Sequence, residues 1–360
     1  MNWLLIFLGF SLLIVLHEAG HFFAAKATGM RVERFFLFFP PKLVSVKRGE
    51  TEYGIGAIPA GGFVKITGMN PDEELPPEVA ARGYYNQPVW KRIVVIGAGP
   101  AVNIVLAFAI LFGLALHAGQ RTEVVGEIET GSPAASALRP GDEILAVDGR
   151  AYPNASTGER QELFVKQVAS HKCPGQQVEG CEASTPTTLS VRRNGEVETV
   201  TIKPVYDPVV DRTRVGFAYG TEPIAAGEAA NRAADMIWEV SSKTVTVFAR
   251  LFEEEQRKQV SGIVGTSDVA NKTIDLGAER ALLLLAVVSL SLGLINLFPF
   301  LPLDGGHIFW SLVEKVRGKP VPFRVMERAG ALGFALVIML FLIGLTNDIG
   351  RLTGEGFDVR

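Results

Sequence analysis

Cysteine is nearly absent from this chain: there are two in 360 residues, Cys173 and Cys181, eight positions apart. That excludes a cysteine-rich zinc module or a densely stapled scaffold, and leaves one bridge or two free thiols open. Histidine is scarce too, with five, so a centre needing many imidazoles on one face cannot be assembled. There is no basic excess: 35 Lys and Arg stand against 38 Asp and Glu, a net charge of −3 without a basic stripe, which argues against nucleic acid as a partner. Charge is missing altogether from residues 93–120, 281–303 and 329–347, and from the first sixteen residues. A bilayer-crossing helix takes about 20 apolar residues, so four spans are predicted. The expectation is an α-helical multi-pass membrane protein of about four transmembrane helices, with an inserted α+β domain and a small membrane-associated β-region.

Ionisable groups break the first apolar run at one place, His17-Glu18-Ala19-Gly20-His21. Residues four apart share a helix face, so His17 and His21 can offer two imidazoles to one metal while the adjacent Glu18 holds a water. Such groups within a membrane span are expensive and point to function. The run lacks a basic n-region, and cleavage after Ala25 would discard the motif, so it reads as a signal-anchor span. Basic residues crowd the segments 26–92 and 315–328, which predicts that both are cytoplasmic, with both chain ends and residues 121–280 outside.

Two imidazoles do not complete a catalytic zinc site, which uses three protein ligands and an open position. The stretch Asn296–His307, NLFPFLPLDGGH, supplies Asp304 directly after the uncharged run 281–303. Pro299 and Pro302 should break the helix and Gly305-Gly306 permit a tight turn. The charge-derived orientation puts His17, His21 and Asp304 at the same membrane depth, near the cytoplasmic side. Asn296 is the expected partner for substrate backbone or oxyanion, with Asn103 as a further candidate. His307 reads as a neighbour of the site or a turn residue, and Gly97, Gly99 and Pro100 as aids to close helix packing or a bend.

Residues 30–68 read as short strands, 35–39, 43–46, 51–58 and 63–66, punctuated by Pro40, Pro41, Gly49, Gly61 and Gly62. An exposed strand at Gly54–Gly68, including Gly61 and Gly62, could pair with an unwound substrate segment. Pro71–Pro77 reads as a linker. Residues 228–252 carry a helical apolar period without being apolar enough to span. Between Gly131 and Gly149, GSPAASALRPGDEILAVDG closely resembles a bacterial PDZ domain, which implies binding of peptide ends by strand addition near Val124–Ile128.

HEAGH, GIGAIPAGGFVKITG at 54–68, GAGPAVN at 97–103, the PDZ-like insert, SGIVGT at 261–266 and NLFPFLPLDGG together resemble the site-2 protease family of intramembrane zinc metalloproteases over nearly the whole chain. The likeness is greatest to bacterial single-PDZ members of regulated intramembrane proteolysis. It implies Zn2+ held by His17, His21 and Asp304, with Glu18 as general acid and base. It also implies single-pass membrane protein substrates such as anti-sigma factors or signal peptide remnants, a location in the bacterial cytoplasmic membrane among lipid, and no nucleic acid. The expected order is span 1–26, β-loop region and linker 27–92, span 93–120, PDZ-like domain 121–206, amphipathic region 207–280, span 281–303, loop 304–328, span 329–347 and tail 348–360. Two rivals share part of the pattern. A two-histidine, one-carboxylate iron oxygenase has the same ligand types, and a non-enzymatic PDZ scaffold could keep a relic metal site.

Overall fold

A computed structural model describes residues 2–70, 73–251, 253, 257, 260 and 262–353. Along the chain run α1 (Asn2–Ala27), β1 (Val32–Arg48), β2 (Thr51–Ile66), a single turn α2 (Pro77–Ala80) and α3 (Val89–Ala118). There follow β3 (Gln120–Ile128), β4 (Glu143–Val147), α4 (Thr157–Ala169), β5 (Thr187–Arg193), β6 (Glu196–Ile202), β7 (Val205–Asp207), β8 (Arg212–Arg214) and β9 (Phe217–Glu222). The chain closes with α5 (Ala226–Ala249), α6 (Ile263–Asp275), α7 (Ala278–Asn296), α8 (Asp304–Arg317) and α9 (Phe323–Thr353). Contacts divide it into one unit of residues 1–114 with 230–360 and another of residues 115–229. Pro71 and Asp72 of the linker, Phe252, Ser261 of SGIVGT and residues 354–360 lie outside the described residues.

In the first unit, α1, α3, α7 and the 324–351 stretch of α9 are long and apolar enough to cross a membrane. At 1.5 Å per residue the 26 residues of α1 extend about 39 Å. Only one stripe of α1 is buried, Ser11, Leu13, Ile14, His17, Gly20, His21 and Ala25, at the i, i+3, i+4, i+7 spacing of a packed helix face. The remaining surface is apolar and open, with Trp3, Leu4, Leu8 and Phe23 at least half exposed. In water that surface would be unfavourable; in lipid it is the expected outer face.

The third apolar run is helical only to Asn296, short of the expected 303, because the residue before Pro299 disfavours helical backbone and Pro302 has no N–H to donate. Beyond it the structure differs from the expected loop at 304–328. Asp304 opens a 14-residue helix, and Gly305-Gly306 lie in its first turn instead of forming a separate one. The glycines serve close approach: a Cβ on Gly305 would collide with the Leu297 carbonyl group. The helix stops at Gly318, whose φ of 69° is a left-handed C-terminal cap.

The β-region is two long antiparallel strands, each bent on itself at Pro40-Pro41 and near Gly61, so that four arms lie side by side. Phe35 pairs with both Val64 and Tyr53, and Tyr53 pairs in turn with Val46. The arms therefore follow the order 62–66, 32–37, 51–56, 42–48. The four strands expected from sequence occupy these arms, joined by bends where breaks were expected. Glu50, at the β1–β2 turn, accepts from Arg82 at 2.7 and 2.8 Å and from Lys26 at 2.6 Å. Those cations hold its carboxyl at about 2 and tie the hairpin turn to the end of α1.

The second unit is a five-stranded sheet in the order β6-β5-β4-β3-β9 with α4 packed on it. Val125, Leu138, Ile144, Phe164, Leu189 and Val191 form its core. A reciprocal capping box between Ser156 and Glu159 starts α4, and Asn194-Gly195, both at positive φ, close the β5–β6 hairpin as the sequence predicts. Cys173 and Cys181 are disulfide-bonded, with Cα atoms 6.1 Å apart. The unit runs past the expected boundary at 206, because β9 pairs with β3. The same pairing corrects the expected peptide groove at Val124–Ile128. β3 is flanked by β4 and β9, which leaves no edge of it for an added strand; among the described residues the free edges of the sheet are β9 and β6.

Candidate metal centre

Three side chains from two helices of the first unit converge on one point. His17 and His21 stand four residues apart on the buried face of α1, and Asp304 stands in the first turn of α8. A carboxylate there faces the partly positive end of a helix, which favours the ionised form. His17 Nε2 lies 3.1 Å from Asp304 Oδ2, His21 Nε2 lies 3.3 Å from the same oxygen, and the two Nε2 atoms are 3.2 Å apart. Three ligand atoms this close to one another can hold a shared cation. Donors of a tetrahedral zinc ion, bound at about 2.0–2.2 Å, sit about 3.3 Å from one another. The observed edges fit that requirement, and both histidines are 7% exposed.

The face of α3 opposite the histidines is built from residues at spacing four. Val95, Gly99 and Asn103 follow one another along it, each buried. The Val95 carbonyl accepts from His21 Nδ1 at 2.9 Å, which fixes that ring with Nε2 free for a ligand. Pro100 lacks an N–H and presses on the carbonyl one turn earlier, loosening the helix beside this bond. Gly99 leaves room for the His21 imidazole. One turn on, the Asn103 side chain meets His17 Nδ1 at 3.4 Å. Arg92, on the same side of α3 and 2% exposed, grips Glu314 through both terminal nitrogens at 2.9 and 2.6 Å, locking α8 and its Asp304 in register with α3.

Glu18, one residue from His17, leans on the edge arm of the hairpin. The Val64 N–H donates to its carboxylate, and a Cβ on Gly62 would come within 2.9 Å of Glu18 Cγ. Gly61 is turned elsewhere, toward the Phe39 ring. Asn296 donates to the Leu292 carbonyl of its own helix at 3.0 Å. Asn103, the further candidate for substrate contact, is 0% exposed and lies behind His17. His307 stands one turn beyond Asp304 and lines a cavity of about 30 Å³ with Tyr84, Arg92 and Ser311. Sequence reasoning missed the Val95 carbonyl and the Val64 N–H. Backbone groups leave no mark in a motif, although the 95, 99, 103 spacing ending on a polar residue in an apolar run marks the face that carries one of them.

The family model of peptidase family M50 matches residues 5–340. The chain belongs to peptidase family M50. Zinc metalloprotease Rip1 of Mycolicibacterium smegmatis is 31% identical over 365 residues, covering 89% of this chain and 87% of that protein. Zinc metalloprotease Rip1 of Mycobacterium tuberculosis is also 31% identical, over 388 residues, covering 93% and 94%. This M50 peptidase is a zinc metalloprotease of the site-2 type and a multi-pass membrane protein. Membership of the family removes both rivals, the iron oxygenase and the non-enzymatic scaffold.

Proposed function

We propose that this chain hydrolyses peptide bonds within or beside the transmembrane segment of single-pass membrane proteins, such as anti-sigma factors or remnant signal peptides, after a first cleavage has trimmed them. The observation that carries the reading is the donor triangle of His17, His21 and Asp304, set among helices whose outer surfaces are apolar. In this reading the three side chains hold zinc, which supplies Lewis acidity and an acidified water when bound. Glu18 takes the proton from the attacking water and returns it to the leaving amine, so no covalent intermediate is required. Asn296, at the helix end that leads to Asp304, offers its amide to the substrate backbone.

A substrate helix must unwind before its bonds can be cut, because its amides are already paired. The 62–66 arm favours capture of the unwound stretch: it is an edge of its sheet among the described residues, and it runs past Glu18. In the second unit the PDZ-like reading rests on the GSPAA and PGDEILAVDG segments, and strand addition there would use the free edge of β9. Basic residues in 26–92 and 315–328 support a cytoplasmic position for those segments in a bacterial inner membrane, with residues 121–280 on the far side.

The test uses full-length protein in lipid vesicles with a single-pass substrate supplied intact or trimmed outside the membrane. The trimmed form is expected to be cut at least about tenfold faster, at a bond inside or next to its apolar segment located by mass spectrometry. Cutting confined to soluble loops would sink the proposal. A second expectation concerns the hairpin edge. Gly62→Ala crowds Glu18 without touching the metal donors, so it should slow cleavage about 10–100-fold while bound zinc, read by atomic absorption, stays at the wild-type level.

A further inference from the structure

We propose that Asn103 is a positioning residue of the zinc centre, one that holds His17 by its far ring nitrogen and selects which nitrogen faces the metal. The proposal rests on the reading of His17 as a zinc ligand. Asn103 lies in the middle of α3, is 0% exposed, and has a single side-chain partner of its own among the described residues, His17 Nδ1 at 3.4 Å. Its Oδ1 is buried without a hydrogen bond. An unpaired buried amide oxygen is costly, so a side chain that tolerates one in the apolar middle of a helix is held there by some compensating role.

The two histidines differ in how they are held. His21 is fixed by a backbone acceptor, the Val95 carbonyl, which can only receive a hydrogen. His17 has no such carbonyl, and Asn103 occupies the corresponding place one turn further along α3. An amide serves either tautomer. With Nδ2 toward the ring it donates to Nδ1, which leaves the hydrogen on Nε2 for Asp304 at 3.1 Å. A half-turn of the amide brings Oδ1 to the ring, where it accepts from Nδ1–H and leaves Nε2 free to bind a metal. The oxygen that lacks a partner in the first arrangement gains one in the second. The backbone around Asn103 is pinned so that the half-turn needs no helix movement: its carbonyl accepts from Ser289 Oγ at 2.9 Å, and Gly293 faces it so closely that a Cβ added there would lie 3.3 Å from the Asn103 Cβ.

The experiment compares zinc affinity of the purified full-length protein, by competition with a chromophoric chelator, in Asn103→Leu, Asn103→Asp and His17→Ala. Loss of the outer partner of a metal-bound histidine costs about 10–100-fold in affinity, and that loss is expected for Asn103→Leu. Asn103→Asp keeps an acceptor for Nδ1–H and should stay within about threefold of wild type. Cobalt-substituted protein supplies a second signature, with the visible band of the Leu variant displaced and that of the Asp variant unchanged. Should the Leu protein fail to fold, Asn103→Ala gives the same comparison. Wild-type affinity in the Leu or Ala variant, or equal loss in the Asp variant, overturns the proposal. His17→Ala retaining zinc at wild-type affinity overturns the ligand reading beneath it.

Discussion

Glu18→Gln is expected to lower the rate of peptide-bond cleavage by about 10³–10⁴-fold while zinc content, substrate affinity and fold stay as they are. The glutamine has the size and shape of the carboxylate, and its amide oxygen can still accept from the Val64 N–H, so the side chain keeps its place against the 62–66 arm. What it loses is the ability to take a proton. If Glu18 carries the proton from the attacking water to the leaving amine, both halves of the reaction fail together, and the loss falls on kcat with KM unchanged. In cells the same variant should accumulate trimmed, membrane-bound fragments of the natural substrates. Mass spectrometry of those fragments would identify them. Activity above a tenth of wild type would remove Glu18 from the proton path, and loss of zinc would show that it helps to hold the metal.

The parts of this site that are legible in the sequence share a physical reason. Ionisable groups cost so much inside an apolar run that His17, Glu18 and His21 stand out, and Asp304 stands out for the same reason at the end of residues 281–303. The spans are legible because length and the absence of charge set them, to within a few residues in α3 and less closely in α7, whose end depends on Pro299 and Pro302. The helix α8 is hidden because Pro and Gly residues speak locally for a turn, and packing decides otherwise: with Gly305 under the Leu297 carbonyl, the chain can begin a helix at Asp304. The sheet of the second unit shows the limit of pattern matching. GSPAA and the strand before it are recognisable, but which strand has a free edge depends on the pairing of β9 from far along the chain. The partner of Asn103 is hidden for a similar reason. An amide in an apolar helix announces a hydrogen bond, but only the packing of α1 on α3 shows that His17 is its partner.

Gly99→Ala is expected to abolish zinc binding in a protein that still folds. A methyl carbon at that position would overlap His21 Nε2 and lie 2.6 Å from Cε1 and 2.9 Å from Cδ2, in a place where ordinary van der Waals contact requires about 3.4–4 Å. The imidazole can yield only by turning, and turning breaks its bond to the Val95 carbonyl and carries Nε2 out of the donor triangle. The other escape is separation of α1 from α3 by about 1 Å. That movement is opposed by the packing of Gly20 on Ala98, where backbone atoms already lie at the distance of a missing side chain, and by the cluster of Ala25, Val95 and Ile96 just beyond it. Either route displaces a ligand by more than the ~0.5 Å that a metal site tolerates. Zinc affinity should therefore fall by at least about 100-fold, and cleavage by about 10³-fold or more. Gly97→Ala is the matched control, two residues away on the same helix, where an added methyl meets only the Ile308 Cδ1 at 3.9 Å. It should keep both zinc and activity within about threefold. Substituting alanine for glycine favours a helix by itself, so a loss of zinc confined to position 99 cannot be ascribed to a weakened α3. Wild-type zinc affinity in Gly99→Ala would mean that His21 is not held where the α1–α3 contact puts it, and the donor triangle would have to be abandoned.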